Sequence, residues 1–294
     1  MKGFWEAREL GKAFWTPQGL TFVVRHFSLC FEPGEFVCLV GHSGCGKSTV
    51  LSILAGLQAP TEGGIYRRGV PVRRADRTRA MVFQSPSLFP WMTAEQNVAL
   101  ALEGTHPELS GKERREKARF YLGKVGLEEV AGKRIGELSM GMRQRVNVAR
   151  AFAMEPELLL LDEPFGMLDS ITRSELQEVL LEHWGQSACA GLMVTHDIEE
   201  AVYLADRIVV MTDGPEATVG KIFRNPSPRP KDRRQLGEDP VLLALRQEIF
   251  ELLEGSAGSL RSVSGAEGAQ WIFRSSGRPL VKRKWSQRVE TTVK

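Results

Sequence analysis

Gly41-His42-Ser43-Gly44-Cys45-Gly46-Lys47-Ser48 spaces its glycines, lysine and serine as G-x-x-x-x-G-K-[ST]. Glycines at these positions let backbone N–H groups turn inward around a phosphate chain. The helix that follows adds positive potential at its N-terminus. Lys47 would pair with the outer phosphates and Ser48 would ligate Mg²⁺. The contact set for a nucleotide is therefore Gly41, Ser43, Gly44, Cys45, Gly46, Lys47, Ser48 and Thr49. A plain strand–turn–helix needs glycine for its turn but gives the Lys-Ser pair nothing to do. Further along, the apolar run Leu158–Leu161 ends in Asp162-Glu163. A buried strand ending in two carboxylates delivers them to the sheet edge where phosphates sit. Asp162 would hold the Mg²⁺ shell, and Glu163 would polarise an attacking water.

The elements that must position these groups can be read from hydrophobic pattern. Glu35–Val40, Ala80–Phe83, Leu158–Leu161 and Leu192–Thr195 are short continuous apolar runs, the pattern of buried strands. Helical periodicity between them, as in Val50, Ile53, Leu54 and Leu57, predicts an α/β fold with a mainly parallel core sheet. Phe4–Phe31 predicts antiparallel strands, and Arg207–Met211 with Thr218–Phe223 predicts a terminal hairpin. Residues of about 86–155, with Glu113–Val125 amphipathic and Met142–Met154 periodic, predict an inserted helical subdomain. The segment Asn225–Arg234 is a Pro- and charge-rich linker, and Val241–Leu253 predicts a helix. The organisation expected is thus a cassette over 1–225, a linker and helix over 226–254, and a basic, disordered tail over 255–294.

Bulk properties exclude several classes. The 294 residues carry a formal net charge of +3. Residues 255–294 hold eight Lys/Arg against two acidic residues, so the body is net negative, and nucleic-acid binding is not expected of it. Cys30, Cys38, Cys45 and Cys189 form no CxxC pair, and free thiols are expected. His26, His106 and His183 have no second ligand at metal spacing, so no zinc is assigned. His42 reads as a solvated loop residue; Cys45, next to a helix start, is weighed as a reactive thiol and set aside. No apolar run reaches 18 residues, so any membrane role must come through a partner.

Three further elements carry a family resemblance. Leu138-Ser139-Met140-Gly141-Met142-Arg143-Gln144-Arg145 resembles the ABC signature, Gln84 ends a strand as in the Q-loop, and His196 ends the next strand as in the switch histidine. With the cradle and Asp162-Glu163, their order is that of ABC ATPases. The resemblance, over residues 4–225, implies a P-loop ABC cassette with an N-terminal antiparallel β-subdomain. It also implies ATP hydrolysis between two head-to-tail cassettes. Ser139 and Gly141 would reach the γ-phosphate held by the opposite chain. Glu163 would act as base, His196 would fix the γ-phosphate, and Gln84 would reach Mg²⁺ and water. Asp169 matches the D-loop, and Phe14 the aromatic that stacks on adenine, with Trp15 as rival and a core role for Phe14 as alternative. Met140 and Met142 depart from the signature's Gly and Gln. The Arg-Gln-Arg that follows, Asp162–Gly166 and the Arg229–Arg233 linker resemble importers of the nitrate, sulfonate and taurine type.

That resemblance implies a peripheral ATPase on the cytoplasmic face of the inner membrane. Its partners would be a second cassette, most simply an identical one, multispanning permease subunits and, indirectly, a substrate-binding protein. The apolar Ser87–Met92 stretch would receive the permease. Cargo would be a small anion or organosulfur compound. The alternatives are a non-transport ABC ATPase of nucleic-acid repair or ribosomes, and a small-molecule kinase. The single cradle and ordinary insertion disfavour the first; the signature and His196 disfavour the second.

Overall fold

The computed structural model describes residues 3–17, 19–184, 188–229, 231–255, 261–264 and 270–273. Two layers of strands frame the chain. Strands β1 (Trp5–Thr16) and β2 (Gly19–Phe31) form a long antiparallel pair, with Trp5 opposite Phe31 and Thr16 opposite Gly19. Strands β4 (Glu62–Arg67) and β5 (Val70–Val72) extend it in the order β2-β1-β4-β5. The antiparallel pair follows the sequence expectation. β4 and β5 do not appear in it, because Gly63-Gly64 and a three-residue strand leave no alternating run to read.

The second sheet runs β10-β9-β3-β8-β7-β6. Here β3 (Phe36–Val40), β6 (Arg79–Val82), β7 (Leu158–Asp162), β8 (Ala190–Val194) and β9 (Arg207–Met211) are parallel; β10 (Val219–Arg224) returns antiparallel on β9. The continuous apolar runs arise because both faces are covered. In β3, Phe36, Cys38 and Val40 enter one core, while Val37 and Leu39 enter the other. β7 repeats this, with Leu159 and Leu161 on one side and Leu158 and Leu160 on the other. The period of two is therefore present in each strand, but both of its phases are apolar.

One core is closed by the β1–β2 layer and α1 (Lys47–Leu54). The other is closed by α4 (Met140–Ala153), α5 (Ser170–Trp184), α6 (Ile198–Leu204) and α8 (Pro240–Gly255). Between β6 and β7 lie α2 (Ala94–Thr105), α3 (Gly111–Lys124), two 3₁₀ turns and α4. Thr93 with Gln96, and Ser110 with Glu113, form reciprocal capping boxes that start α2 and α3. The short α7 (Gln235–Glu238) precedes α8.

Two expectations change. Leu57 falls beyond the end of α1 and is 56% exposed, so it is not core. The tail, expected to be disordered, carries an antiparallel ladder of β11 (Arg261–Ser264) and β12 (Gln270–Phe273). The second of these is QWIF, an aromatic and β-branched run of the kind a ladder favours. The rest of the tail call, 256–260, 265–269 and 274–294, lies outside the described residues.

Candidate nucleotide site

The order β3-β8-β7-β6 brings four loops to one sheet edge: the cradle after β3, His196 after β8, Asp162-Glu163 at the end of β7, and Gln84 after β6. They come from positions over 150 residues apart in sequence. Crossover connections make them neighbours.

The cradle is shaped by Gly46, at φ 98°, whose added Cβ would stand 2.5 Å from Val24 Cγ2 of β2. The antiparallel layer thus packs against the loop and forbids a side chain there. Gly46 is also the N-cap of α1. No side chain caps that helix and its first turn holds no acid, so the N–H groups there are left for a ligand. Lys47 Nζ donates to the carbonyls of Gly41 (2.6 Å) and His42 (2.8 Å). His42 Nδ1 lies 2.6 Å from Asp213 Oδ1, so this residue is tied to the loop after β9 rather than freely solvated. Cys45 is buried, and burial raises its thiol pKa, which removes the reactive-thiol alternative.

Ser48 Oγ donates to Asp162 Oδ1 at 3.0 Å, joining the cradle helix to β7. Burial, reinforced by the neighbouring Glu163 charge, pushes the Asp162 carboxyl above the usual range; the Ser48 bond and Lys47 oppose this. Glu163 Oε2 accepts from Gln84 Nε2 at 3.3 Å and lies 3.4 Å from His196 Nδ1. Glu163 itself sits at φ 43°, a left-handed conformation that a side chain disfavours. Its N–H donates to Val194 O (3.0 Å) and its carbonyl accepts from Gly166 N (3.2 Å), which fixes that backbone.

The remaining expected residues form a second group. Ser139 caps α4, accepting from Met142 N at 3.3 Å. Gly141 lies so close to α5 that a Cβ would stand 2.6 Å from Thr172 Cγ2. Asp169 Oδ1 accepts from Ile171 N and Thr172 N and starts α5. Among the described residues, no hydrogen bond or ion pair joins Ser139, Gly141 or Asp169 to the cradle. Phe14, on β1, is 40% exposed with Lys12 Nζ 5.3 Å from its ring centroid; the core alternative for it is not supported.

One residue of the site escaped the sequence reading. Gln144, 2% exposed, donates to Pro164 O (2.9 Å) and Phe83 O (3.4 Å). It ties α4 to the loops carrying both Gln84 and Glu163. The available signal was a pair of amides, Gln144 and Asn147, one turn apart on the buried face of α4.

A phosphate cradle, a strand-end carboxylate pair and a strand-end histidine on a parallel sheet define a P-loop nucleotide hydrolase. Beyond that class, the ABC transporter family matches residues 24–166. The chain is 47% identical over 251 residues, 85% of its length and 92% of the other's, to the nitrate import ATP-binding protein NrtD of Synechococcus elongatus. It is also 47% identical to that organism's bicarbonate transport ATP-binding protein CmpD, over 83% of this chain and 88% of that one. A solved dimer of the cassette MJ0796 in a post-hydrolysis state with ADP and Pi superposes with TM-score 0.68 and 32% identity, covering 75% of this chain and 98% of that one. The chain belongs to the ATP-binding subunits of ABC transporters and is an ATPase.

Proposed function

We propose that this chain powers uptake of a small inorganic oxyanion, of the nitrate or bicarbonate kind, through a separate permease, from the cytoplasmic face of the membrane. The relatives named above favour an inorganic anion over an organosulfur cargo. No described helix is long and apolar enough to cross a bilayer, so passage of the anion falls to another subunit.

The hydrolytic step rests on one observation: Glu163 is flanked by Gln84 and His196 beside a cradle that ends in Lys47 and Ser48. Lys47 leaves the Gly41 and His42 carbonyls for the β- and γ-phosphates. Glu163 accepts the proton of the attacking water, and His196 donates to the γ-phosphate. Mg²⁺ would be held by Ser48 Oγ, the Gln84 amide oxygen and, through water, Asp162, all hard oxygen donors. Among the described residues no cluster of three His, Cys, Asp or Glu could hold a metal alone, which fits an ion that arrives with the nucleotide's phosphates. Bound there, the ion neutralises charge on the leaving phosphates.

The separation of Ser139, Gly141 and Asp169 from the cradle supports the sandwich reading, in which a second cassette supplies its own α4 N-terminus to the γ-phosphate. Phe14 stacks on adenine. The Ser87–Met92 stretch, with Trp91 67% exposed and its ring 5.4 Å from that of Phe89, docks the permease. The test is ATP hydrolysis by the purified chain across a dilution series. Specific activity that rises with protein concentration supports the shared site; full activity in a verified monomer removes it. In vesicles with the permease, ATP-driven uptake of nitrate or bicarbonate, but not taurine, supports the anion assignment.

A further inference from the structure

Beyond the cassette, the chain does not leave the domain; it lies across α6, the helix that begins at the switch histidine loop. Asn225 Nδ2 donates to the carbonyls of Val202 (2.6 Å) and Ala205 (2.8 Å), and Lys231 Nζ donates to Ala205 O (2.8 Å). Arg229 pairs with Asp206. Leu242, Leu245 and Ile249 of α8 are buried against the same side, and Arg246 Nη1 reaches Glu199 Oε1 at 2.7 Å. The segment is thus anchored at many points.

Within it, Arg233 does something different. Its guanidinium stacks 4.2 Å above the Tyr203 ring, and Nη2 donates to Gln177 Oε1 at 2.7 Å. Gln177 is 2% exposed, and its Nε2 donates to Glu200 Oε1 at 3.2 Å. Glu200 Oε2 accepts from Thr195 Oγ1 at 2.7 Å, and Thr195 Oγ1 accepts from Asp197 N at 3.0 Å. Each hydrogen bond along this chain has one consistent donor and acceptor, and its ends also have further charged neighbours: Arg233 Nε lies 3.5 Å from Glu178 Oε1, and Arg173 Nε lies 3.8 Å from Glu200 Oε1. With an arginine on one side and a carboxylate on the other, the Gln177 amide has a single satisfying orientation. The chain ends on Thr195 and Asp197, the residues on either side of His196.

We propose that Arg233 is a positioning residue for hydrolysis. By fixing the Gln177 amide it orients Glu200, and Glu200 holds both flanks of His196 so that the imidazole stays within reach of Glu163. The proposal rests on the reading of His196 as the γ-phosphate contact. A buried relay of this kind is stiff when complete and loses its register when one donor is removed, because each remaining polar group seeks a new partner. The other anchors of the segment are untouched by loss of Arg233, so the fold does not depend on it.

The test uses two variants in the full chain, Arg233→Ala and Arg233→Met. The Met variant keeps an aliphatic body over Tyr203 with no donor, and decides the matter should the Ala variant fail to fold. In the assembled transporter, kcat for ATP hydrolysis should fall about tenfold while KM changes by less than about twofold, the range of coupling seen along packed networks. In the nucleotide-free chain, hydrogen exchange at the Asp197 amide should quicken about tenfold, with core-strand amides of β3 and β7 unchanged. Arg234→Ala, an exposed neighbour of equal charge, should alter neither. Wild-type turnover, unchanged Asp197 exchange, or an equal effect of Arg234→Ala would each overturn the proposal. The exchange measurement does not depend on the role of His196. Full turnover by His196→Ala would instead sink the underlying reading of that residue.

Discussion

Glu163 Oε2 lies 3.4 Å from His196 Nδ1. The carboxylate follows β7 and the imidazole follows β8, so two adjacent parallel strands set the spacing. Gln84 Nε2 donates to the same oxygen at 3.3 Å. Replacing Glu163 by Gln keeps the shape and removes the proposed proton acceptor. Turnover in the assembled complex should drop by about 10²-fold or more, the worth of a positioned general base. ATP affinity, measured by equilibrium binding, should hold within a few-fold. Near-normal hydrolysis would exclude Glu163 as the base.

Lys47 is the converse case. Its ammonium donates to two carbonyls of the cradle loop, those of Gly41 and His42. Lys47→Ala removes a charge-assisted contact worth about 1.5–3 kcal/mol, which corresponds to roughly a tenfold to hundredfold loss of ATP affinity. Isothermal titration of the purified variant reads this directly. Binding at wild-type affinity would show that the ammonium does not reach the phosphates.

Asp162 gives a pH prediction with an unusual sign. Burial raises its folded-state pKa, so the folded state holds the proton more tightly than the unfolded chain. Stability is therefore free of the penalty below the ordinary carboxylate range, and falls as pH rises through the raised folded value. Asp162→Asn should melt higher than the wild type at neutral pH without nucleotide. That advantage should shrink as pH is lowered, because the wild-type carboxyl then becomes neutral too. Thermal denaturation at several pH values tests it; a constant or growing advantage toward acid contradicts the assignment.

Much of this was legible in sequence, and the reasons differ by element. The cradle and Asp162-Glu163 could be placed because each follows a short apolar strand, whereas Gln84 and His196 were placed by the motif order shared with ABC ATPases. Strands β4 and β5 could not, since Glu62–Arg67 packs through close backbone approach: a Cβ on Gly63 would stand 2.1 Å from Glu9 O. Gln144 and Gln177 were equally hidden. Most of their partners are carbonyls and side chains far away in sequence, which no local pattern reveals. The order in the tail was missed because composition there reads as polar, while a four-residue run is enough for one ladder.

Gly141 tests whether the glycine proposed to face the γ-phosphate is also a packing residue. A Cβ there would meet Thr172 Cγ2 at 2.6 Å, too close to tolerate unless the Thr172 side chain or α4 itself shifts. Gly141→Ala should destabilise the chain by about 1–3 kcal/mol, the usual cost of overpacking. Thr172→Ser deletes the offending methyl and should restore most of that loss in the double variant, whereas independent effects would simply add. Urea denaturation of the four proteins in the cycle decides between coupling and additivity.

Phe14 and Trp15 are adjacent on β1, so they face opposite sides of the strand and only one of them can meet the nucleotide base. Phe14 is 40% exposed and Trp15 83% exposed, so neither is needed to fill the core. Phe14→Ala should leave the melting temperature nearly unchanged and weaken ATP binding by an amount typical of base–aromatic stacking, about 1–3 kcal/mol or roughly fivefold to hundredfold in Kd. Trp15→Ala should leave both unchanged. Because stacking reads the base and not the phosphates, binding of inorganic triphosphate should be the same in all three proteins. The reverse pattern, with Trp15→Ala weakening ATP and Phe14→Ala silent, would move the adenine contact to the other face of β1.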